Sequence, residues 1–375
     1  MPSSPRLRVP ISRLAMIVTM IATIFVAASC AEPRGDCVPE TGSELGTICG
    51  FSNPEDLEFA QTAGLVISSQ IQLSYVPADG AIAAFDPSQP SSSTVVRRLW
   101  PNGSAATVKA GVGDPSCLTP PDPQDFHPHG LSVAALGPEL SRVAVVTHGP
   151  AERIDLFELT GRGDTARLRW QGCVAMPEGT AANDVVLAID GSFVVSNFQP
   201  TMAGLTGLYY MSKASFGFNT GDIRRWSHDA GWTVIEGTSA ANPNGVAVDV
   251  ERGFVFYVET GAQRVVRVSL DDGSIAETPI PGAPDNLSFA PDGRLLVATH
   301  VSGIQLITCM LGRLPCRAAW QVWAIEPTTM KTELLFEDSG ETAGGVATAI
   351  IVGERLYVGP IFGDRIGVAA LQGAQ

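Results

Sequence analysis

The sequence predicts an all-β protein, a six-bladed β-propeller with four-stranded blades around a central tunnel. Three observations indicate this fold: a phrase that recurs six times, turn formers spread along the chain, and no long helical stretch between the phrases. The 375 residues are 45% hydrophobic and include 39 Gly and 27 Pro. A chain of this length can bury a sizeable core, and its many turn formers favour many short strands.

The recurring phrase is a short polar or Gly pair, an alternating apolar strand, a Gly/Asp/Pro turn and a second Val-rich strand. Its instances are "EDLEFAQTAGLVISS", "HGLSVAALGPELSRVAVVTHG", "NDVVLAIDGSFVVSNF", "NGVAVDVERGFVFYVETG", "DNLSFAPDGRLLVATHVSG" and "GGVATAIIVGERLYVGPIFG". One such unit would expose an apolar face, so the units are expected to pack radially as blades. Closing the ring hides the strand edges that a flat sheet would leave open.

The polar pair of each phrase precedes the innermost strand of its blade, so these pairs are expected to meet at one mouth of the tunnel. The converging pairs are Glu55-Asp56, His129-Gly130, Asn183-Asp184, Asn244-Gly245 and Asp285-Asn286. Their carboxylate and amide oxygens, without a thiolate, form a hard-cation donor set that suits calcium better than magnesium. The alternative is that each Asn or Asp only caps its own turn, which such residues often do. Recurrence at the same phase of several repeats favours the metal site.

The first 29 residues have the pattern of a signal peptide. Arg6, Arg8 and Arg13 precede an apolar stretch over 14–28, and small residues lead to Cys30. The string "VAASC" resembles a bacterial lipobox, although an aliphatic residue is usual where Ala27 stands. We expect an exported lipoprotein, anchored to a membrane and facing the periplasm or the exterior. An uncleaved anchor and ordinary cleavage are the alternatives. Residues 30–50 are then a polar tether, and 51–375 the propeller.

Six cysteines remain if Cys30 carries a lipid, an even number that suits disulfides in an oxidising compartment. Locality favours the pairs Cys37–Cys49 and Cys309–Cys316, which leaves Cys117 for Cys173. Free buried thiols are the alternative. The Cys and His spacings do not fit a zinc site. A formal net charge of −14 and the lack of a basic stripe argue against nucleic acid as a partner.

Seven motifs resemble, in order, those of the paraoxonase/arylesterase family. They are "NPEDLEF", "FHPHGLSV", "THG", "ANDVVLA", "NPNGVAV", "PDNLSF" and "VATAIIVGERLYVGPIFGDRIGV", and the resemblance spans 51–368. It implies a six-bladed propeller with two calcium ions in its tunnel, within a wider superfamily that includes gluconolactonase-type and strictosidine-synthase-like propellers. It also implies hydrolysis of lactones and aryl esters, and in some members of organophosphates.

The resemblance assigns roles residue by residue. The ligands that it implies for a catalytic calcium are Glu55, Asn183, Asn244, Asp285 and Asn286. For a deeper, structural calcium it implies Asp56, Asp184 and the backbone carbonyl of Leu131. Successive side chains on a strand point opposite ways, so a doublet can serve two ions if the backbone kinks there. The resemblance also implies a histidine dyad, with His129 activating water and His148 orienting it. The other histidines, His127, His228 and His300, have no comparable support.

The sequence departs from the family pattern in two places. No Cys follows Cys316, so the family's disulfide between the N-terminal region and the last strand is missing, and strand pairing plus local bridges must close the ring. The loop "SSQIQLSYVPADGAIAAFD" differs from the family's loop over the site, and Tyr75 is the candidate for its substrate-covering tyrosine. Residues 201–226, with "MSKASFGFNTGDIRRW", are expected at the rim that selects substrate.

These observations predict a calcium-dependent hydrolase of lactones or aryl esters that acts on a small molecule. Calcium would polarise the carbonyl, and a histidine would activate water. The sequence lacks the G-x-S-x-G elbow of serine hydrolases, so a serine nucleophile is not expected. One alternative is a sugar-lactone hydrolase of the gluconolactonase type. The other is a non-catalytic propeller that calcium rigidifies and that binds a partner at its rim.

Overall fold

The computed structural model describes residues 37, 44–72, 80–103, 106–201, 204–311 and 315–371. The expected signal peptide, Cys30 and Tyr75 lie outside these residues. Within them, none of the helices is long and apolar enough to cross a bilayer.

The described chain forms six sheets of four antiparallel strands, which confirms the six-bladed propeller. From the channel outward, blade 1 contains β2 (Pro54–Ala60), β3 (Leu65–Gln70), β4 (Ala81–Phe85) and β5 (Arg97–Trp100). Blade 2 contains β6 (His127–Gly137), β7 (Leu140–His148), β8 (Arg153–Thr160) and β9 (Arg167–Ala175). Blade 3 contains β10 (Ala181–Leu187), β11 (Phe193–Gln199), β12 (Asp222–Ser227) and β13 (Gly231–Val234).

The remaining blades repeat this order. Blade 4 contains β14 (Pro243–Asp249), β15 (Phe254–Glu259), β16 (Arg264–Ser269) and β17 (Ile275–Pro279). Blade 5 contains β18 (Ala283–Phe289), β19 (Leu295–His300), β20 (Trp320–Ile325) and β21 (Thr332–Asp338). Blade 6 contains β22 (Val346–Val352), β23 (Arg355–Pro360), β24 (Arg365–Ala370) and, outermost, β1 (Leu45–Cys49). Each innermost strand contacts those of both neighbouring blades, so the ring is closed.

Ring closure joins the two ends of the described chain in one sheet. The strand β1 pairs antiparallel with β24, from Leu45 opposite Ala369 to Cys49 opposite Arg365. A disulfide ties Cys37 to Cys49 at the end of β1. The ring therefore closes by strand pairing plus a local bridge, as expected from the missing family disulfide. The strand β1 lies inside the segment that the sequence assigns to the tether.

All three predicted disulfides are present. Besides the pair at β1, Cys117 bonds Cys173 and Cys309 bonds Cys316, with Cα–Cα distances of 5.5 and 5.2 Å. Disulfides of this number are typical of exported proteins in oxidising compartments.

The hydrophobic core lies between adjacent blades. One cluster joins Ile67 of blade 1 to Val145 and Trp170 of blade 2, and another joins Trp320 of blade 5 to Val346 of blade 6. Alternating strand residues point at the two neighbouring sheets, so each blade buries both faces. This packing holds the six innermost strands in fixed relative positions around the channel.

Two helices lie on the mouth where the innermost strands begin. Helix α1 (Gly204–Ser215) connects β11 to β12, and helix α2 (Gly303–Met310) connects β19 to β20. Since β11 and β19 run antiparallel to the innermost strands, both connections fall at that mouth. The region 201–226 thus contributes α1 to the rim, with Leu205 and Phe216 exposed by 86% and 70%.

Candidate functional site

The six innermost strands share a register shift close to their start. The shifts lie between Pro54 and Asp56, Pro128 and Leu131, Ala182 and Val185, Pro243 and Val246, Pro284 and Leu287, and Val346 and Thr348. A bulge breaks the regular alternation of side chains, so two consecutive residues can face the same region. Four of the six bulges contain a whole polar or Gly pair singled out in the sequence, the bulge of blade 1 contains Glu55 with Asp56 at its edge, and the sixth contains Ala347.

The predicted catalytic-calcium ligands are all buried, and contacts connect three of them with His129 around the mouth. The side-chain amide of Asn286 in blade 5 donates to Oε1 of Glu55 in blade 1 over 2.8 Å. The Nε2 atom of His129 in blade 2 lies 3.6 Å from that same Oε1 and 3.5 Å from the amide nitrogen of Asn183 in blade 3. These four residues, which the repeat pattern placed together, therefore form one polar cluster.

Four buried oxygen atoms in this set find no hydrogen-bond donor among the residues that the structure describes. They are Oε2 of Glu55 and the Oδ1 atoms of Asn183, Asn244 and Asn286. Buried acceptors without a partner cost free energy, and native proteins rarely keep them without a reason. Carboxylate and amide oxygens with free lone pairs are the ligands of calcium. The residues present therefore fit a calcium ion.

Amide oxygens are essential to this fit. Across the described ranges, no group of three or more His, Cys, Asp or Glu side chains is arranged to hold a metal ion. The candidate site has Glu55 and Asp285 as its carboxylates, and asparagines supply the remaining side-chain oxygens. Such mixed oxygen sets are common for calcium, which takes six to eight oxygen ligands.

Two further carboxylates, those of Asp56 and Asp184, each lie one residue after a predicted ligand of the catalytic calcium. Asp56 accepts the backbone N–H of Leu57 and, from blade 2, that of Leu131, both over 2.8 Å. Asp184 accepts the N–H of Val185 over 2.7 Å and, from blade 4, that of Val246 over 2.8 Å. Each aspartate therefore ties its own blade to the next one.

These carboxylates lie in an unfavourable electrostatic environment. Burial raises the pKa of Asp56 to about 7, and the negative charge of Glu55 adds to the effect. Burial also raises the pKa of Asp184 well above its usual value, and the charge of Asp56 reinforces the shift. A divalent cation near these groups would offset both the repulsion and the loss of hydration.

Two glycines allow neighbouring blades to approach at the site. A Cβ atom at Gly130 would come within 2.5 Å of the Cα of Asp184 and 2.6 Å of the carbonyl oxygen of Asn183. A Cβ atom at Gly245 would meet the Cα of Asn286 at 2.5 Å. Only glycine fits at such distances, so the Gly of "HG" and "NG" allows the polar pair of the next blade to approach closely.

The predicted histidine dyad is in contact. Nδ1 of His129 lies 2.9 Å from Nε2 of His148, and the two rings are inclined by 60°. Burial lowers the pKa of His129, but the charge of Glu55, its contact with Glu55 and the charges of Asp285 and Asp56 outweigh burial, so the net pKa is raised. His148 ends β7 and reaches His129 because the bulge in β6 displaces His129 from its regular position.

The sequence patterns did not indicate two residues that lie at the site, His300 and Glu152. Nε2 of His300 lies 3.0 Å from Oδ2 of Asp285, and His300 is 1% exposed. It ends β19, as His148 ends β7, and this equivalence of repeat position was the available signal. Glu152, in the turn after β7, has Oε2 at 2.8 Å from Nδ1 of His148.

The other two histidines are not part of the polar cluster described above. His127 pairs with His148 in the β6–β7 register, and His228 is exposed in a turn of blade 3.

Comparison with known proteins finds similar structures only. No protein-family model matches the chain, and neither does any curated protein sequence. A luciferin-regenerating enzyme aligns with a TM-score of 0.52 and 15% identity over 88% of this chain and 95% of its own. A gluconolactonase from Xanthomonas campestris aligns with a TM-score of 0.50 and 14% identity over 90% and 99% of the two chains. A virginiamycin B lyase from Staphylococcus aureus has a TM-score of 0.47 and 15% identity over 87% and 99%.

At these identities the comparisons establish a shared fold. One of the similar structures is a gluconolactonase. Membership of the paraoxonase/arylesterase family itself stays a prediction from the motifs. Function must therefore be argued from the site.

Proposed function

We propose that the chain is a calcium-dependent hydrolase that opens lactone rings at this mouth of the channel. The observation that carries the proposal is the group of four buried oxygen atoms that find no donor among the described residues, next to the Nε2 atom of His129. A set that only rigidified the fold would not need a histidine pair beside it. The pair gives the same mouth a base as well as a cation site.

The calcium ion would be held by the residues that the sequence singles out. They are Glu55, Asn183, Asn244, Asp285 and Asn286. Bound there, it supplies Lewis acidity, polarising the ester carbonyl and stabilising negative charge on its oxygen.

His129 is the proposed general base. Its Nε2 takes a proton from water while the water oxygen bonds to the carbonyl carbon. The ring C–O bond then breaks, and the proton on His129 passes to the departing alkoxide, which leaves a hydroxy acid. His148 holds the imidazole of His129 through the 2.9 Å contact, so that Nε2 stays directed at the polar cluster.

A second calcium, near Asp56 and Asp184 and with the carbonyl of Leu131 as a ligand, is proposed as structural. Both aspartates join neighbouring blades through backbone N–H groups. A cation beside them would neutralise carboxylates whose pKa burial raises, and so would stabilise the ring.

Sugar lactones are the preferred substrate class. The gluconolactonase among the similar structures favours them, weakly, over aryl esters. Aryl esters are the second candidate, because the contact between His129 and His148 matches the dyad implied by the motif resemblance. The exposed apolar residues of α1 at the rim are compatible with an apolar leaving group.

The test is turnover of purified protein on a sugar δ-lactone, an aliphatic lactone and phenyl acetate. Each is assayed with calcium, after chelation, and after calcium or magnesium is restored. We expect hydrolysis of a lactone that chelation abolishes and calcium restores. Asp285→Ala should lose this activity, and Asp229→Ala, in the exposed turn between β12 and β13, should keep it. Normal turnover of Asp285→Ala at limiting calcium would rule out this metal site.

His129→Gln separates catalysis from binding. It should keep calcium affinity and KM while lowering kcat about 10²-fold or more if His129 is the main base. An unchanged kcat removes His129 from the mechanism. If the parent protein hydrolyses no ester or lactone but binds calcium, the non-catalytic binding propeller is the better description.

A further inference from the structure

Three side chains form a chain of hydrogen bonds from the surface into the channel mouth. Oε2 of Glu152 lies 2.8 Å from Nδ1 of His148, and Nε2 of His148 lies 2.9 Å from Nδ1 of His129. The exposed fraction of the side chain falls along this line, from 26% at Glu152 to 15% at His148 and 8% at His129. The chain ends at Nε2 of His129, which faces Glu55 and Asn183.

The carboxylate of Glu152 determines which ring nitrogens of His148 and His129 carry a hydrogen. An ionised carboxylate only accepts hydrogen bonds, so Nδ1 of His148 carries a hydrogen. In the neutral ring its Nε2 is then an acceptor, and Nδ1 of His129 must donate to it. Nε2 of neutral His129 is therefore an acceptor at the polar cluster, 3.5 Å from the side-chain amide of Asn183, and an acceptor is what a general base requires.

If Glu152 only stabilised the turn between β7 and β8, the contact of its carboxylate with His148 would be unexplained. The turn between β7 and β8 is already held by its backbone, because the carbonyl of Glu152 accepts the N–H of Met176 over 2.9 Å. A carboxylate that orients a histidine through Nδ1 is a recurring arrangement where the opposite nitrogen does chemistry.

We propose that Glu152 is a positioning residue that fixes the protons of His148 and His129, so that Nε2 of His129 remains an acceptor at the channel mouth. The effect on turnover rests on the hydrolase function proposed above, whereas the proton arrangement does not. Glu152 does not itself touch the reacting atoms.

Nitrogen NMR of protein labelled with ¹⁵N at histidine tests the proton arrangement directly. The chain has only five histidines, and the ¹⁵N shifts of protonated and unprotonated ring nitrogens differ. In the parent protein we expect His148 with a protonated Nδ1 and an unprotonated Nε2. Glu152→Ala should lose this single tautomer. If His148 keeps it in Glu152→Ala, the proposal is overturned, whatever the activity.

Kinetics of the same variants test the consequence. Glu152→Ala should lower kcat about 10–10²-fold with little change in KM, a part of what general-base catalysis contributes. Glu158→Gln is the matched control, since Glu158 lies on β8, is 23% exposed and pairs with Lys109. Parent-like kcat in Glu152→Ala would overturn the positioning role.

If Glu152→Ala does not fold, Glu152→Gln keeps the side-chain length and should still lower kcat. Inactivity of the parent would instead remove the proposed function and leave the NMR result to decide.

Discussion

The side-chain amide of Asn286 donates to Oε1 of Glu55 over 2.8 Å, although 231 residues separate them. The contact joins blade 5 to blade 1 across the channel mouth, and Oε2 of Glu55 and Oδ1 of Asn286 are left without a donor among the described residues. The bond holds the two side chains together, and their remaining oxygens are two of the ligands in the proposed calcium site.

Asn286→Ala should weaken calcium binding about 10–100-fold, because it removes one oxygen and releases the orientation of Glu55. Calorimetric titration of calcium into chelator-treated protein measures the affinity. Asn219→Ala is the control, as Asn219 is exposed and its side-chain amide donates to Ser239, far from the proposed site in the sequence. Equal affinities for the two variants would argue against Asn286 as a ligand.

Asp56→Asn should cost about 1–3 kcal/mol of unfolding free energy, because one amide N–H would oppose the backbone N–H of Leu57 or Leu131. Urea unfolding with and without calcium measures the loss. The difference should be larger with calcium, since the proposed structural ion binds the folded state only. An effect no larger than that of Asp229→Asn would contradict the role of Asp56.

Gly130→Ala should destabilise the ring and disturb the metal site together. Its Cβ would come within 2.5 Å of the Cα of Asp184, so β6 and β10 would have to separate. Overpacking of this kind typically costs about 1–3 kcal/mol. Gly303→Ala is the control, because its Cβ would meet nothing within 4 Å. Thermal unfolding and calcium affinity are measured for both, and a Gly130→Ala variant with parent values would refute the close approach.

The disulfide between Cys117 and Cys173 should contribute more stability than that between Cys309 and Cys316. The sequence separations are 56 and 7 residues, and longer loops lose more unfolded-state entropy on closure. Loop entropy alone gives about 4 kcal/mol for the first bridge and about 2 kcal/mol for the second. Paired Cys→Ala variants compared by urea unfolding test this order, and a greater loss from the shorter loop would reverse it.

Cys30→Ser tests the proposed lipid anchor. In a bacterium that processes lipoproteins, the parent should partition with membranes, and the variant should lack the lipid. Mass spectrometry of the mature N-terminus gives the result. A soluble, unmodified parent that begins at another residue would exclude lipidation and leave export intact.

The sequence by itself determined the repeat. Six phrases with period-2 strands and turn residues predicted six blades, and their phase predicted that polar pairs meet at one mouth, because every innermost strand begins there. Short cysteine separations predicted two of the bridges, and elimination then left Cys117 for Cys173. These features depend on local pattern and on repetition, both of which can be read along the chain.

Only the tertiary structure decided which groups touch. The bulges set the direction of Glu55 and His129, and strand periodicity does not show by how much a bulge turns a side chain. The contacts of His300 with Asp285 and of Glu152 with His148 depend on side-chain reach between adjacent strands and turns. Strand β1 joins blade 6 because β24 would otherwise be the open edge of that sheet, and strand periodicity does not show that a segment from the other end of the described chain pairs there.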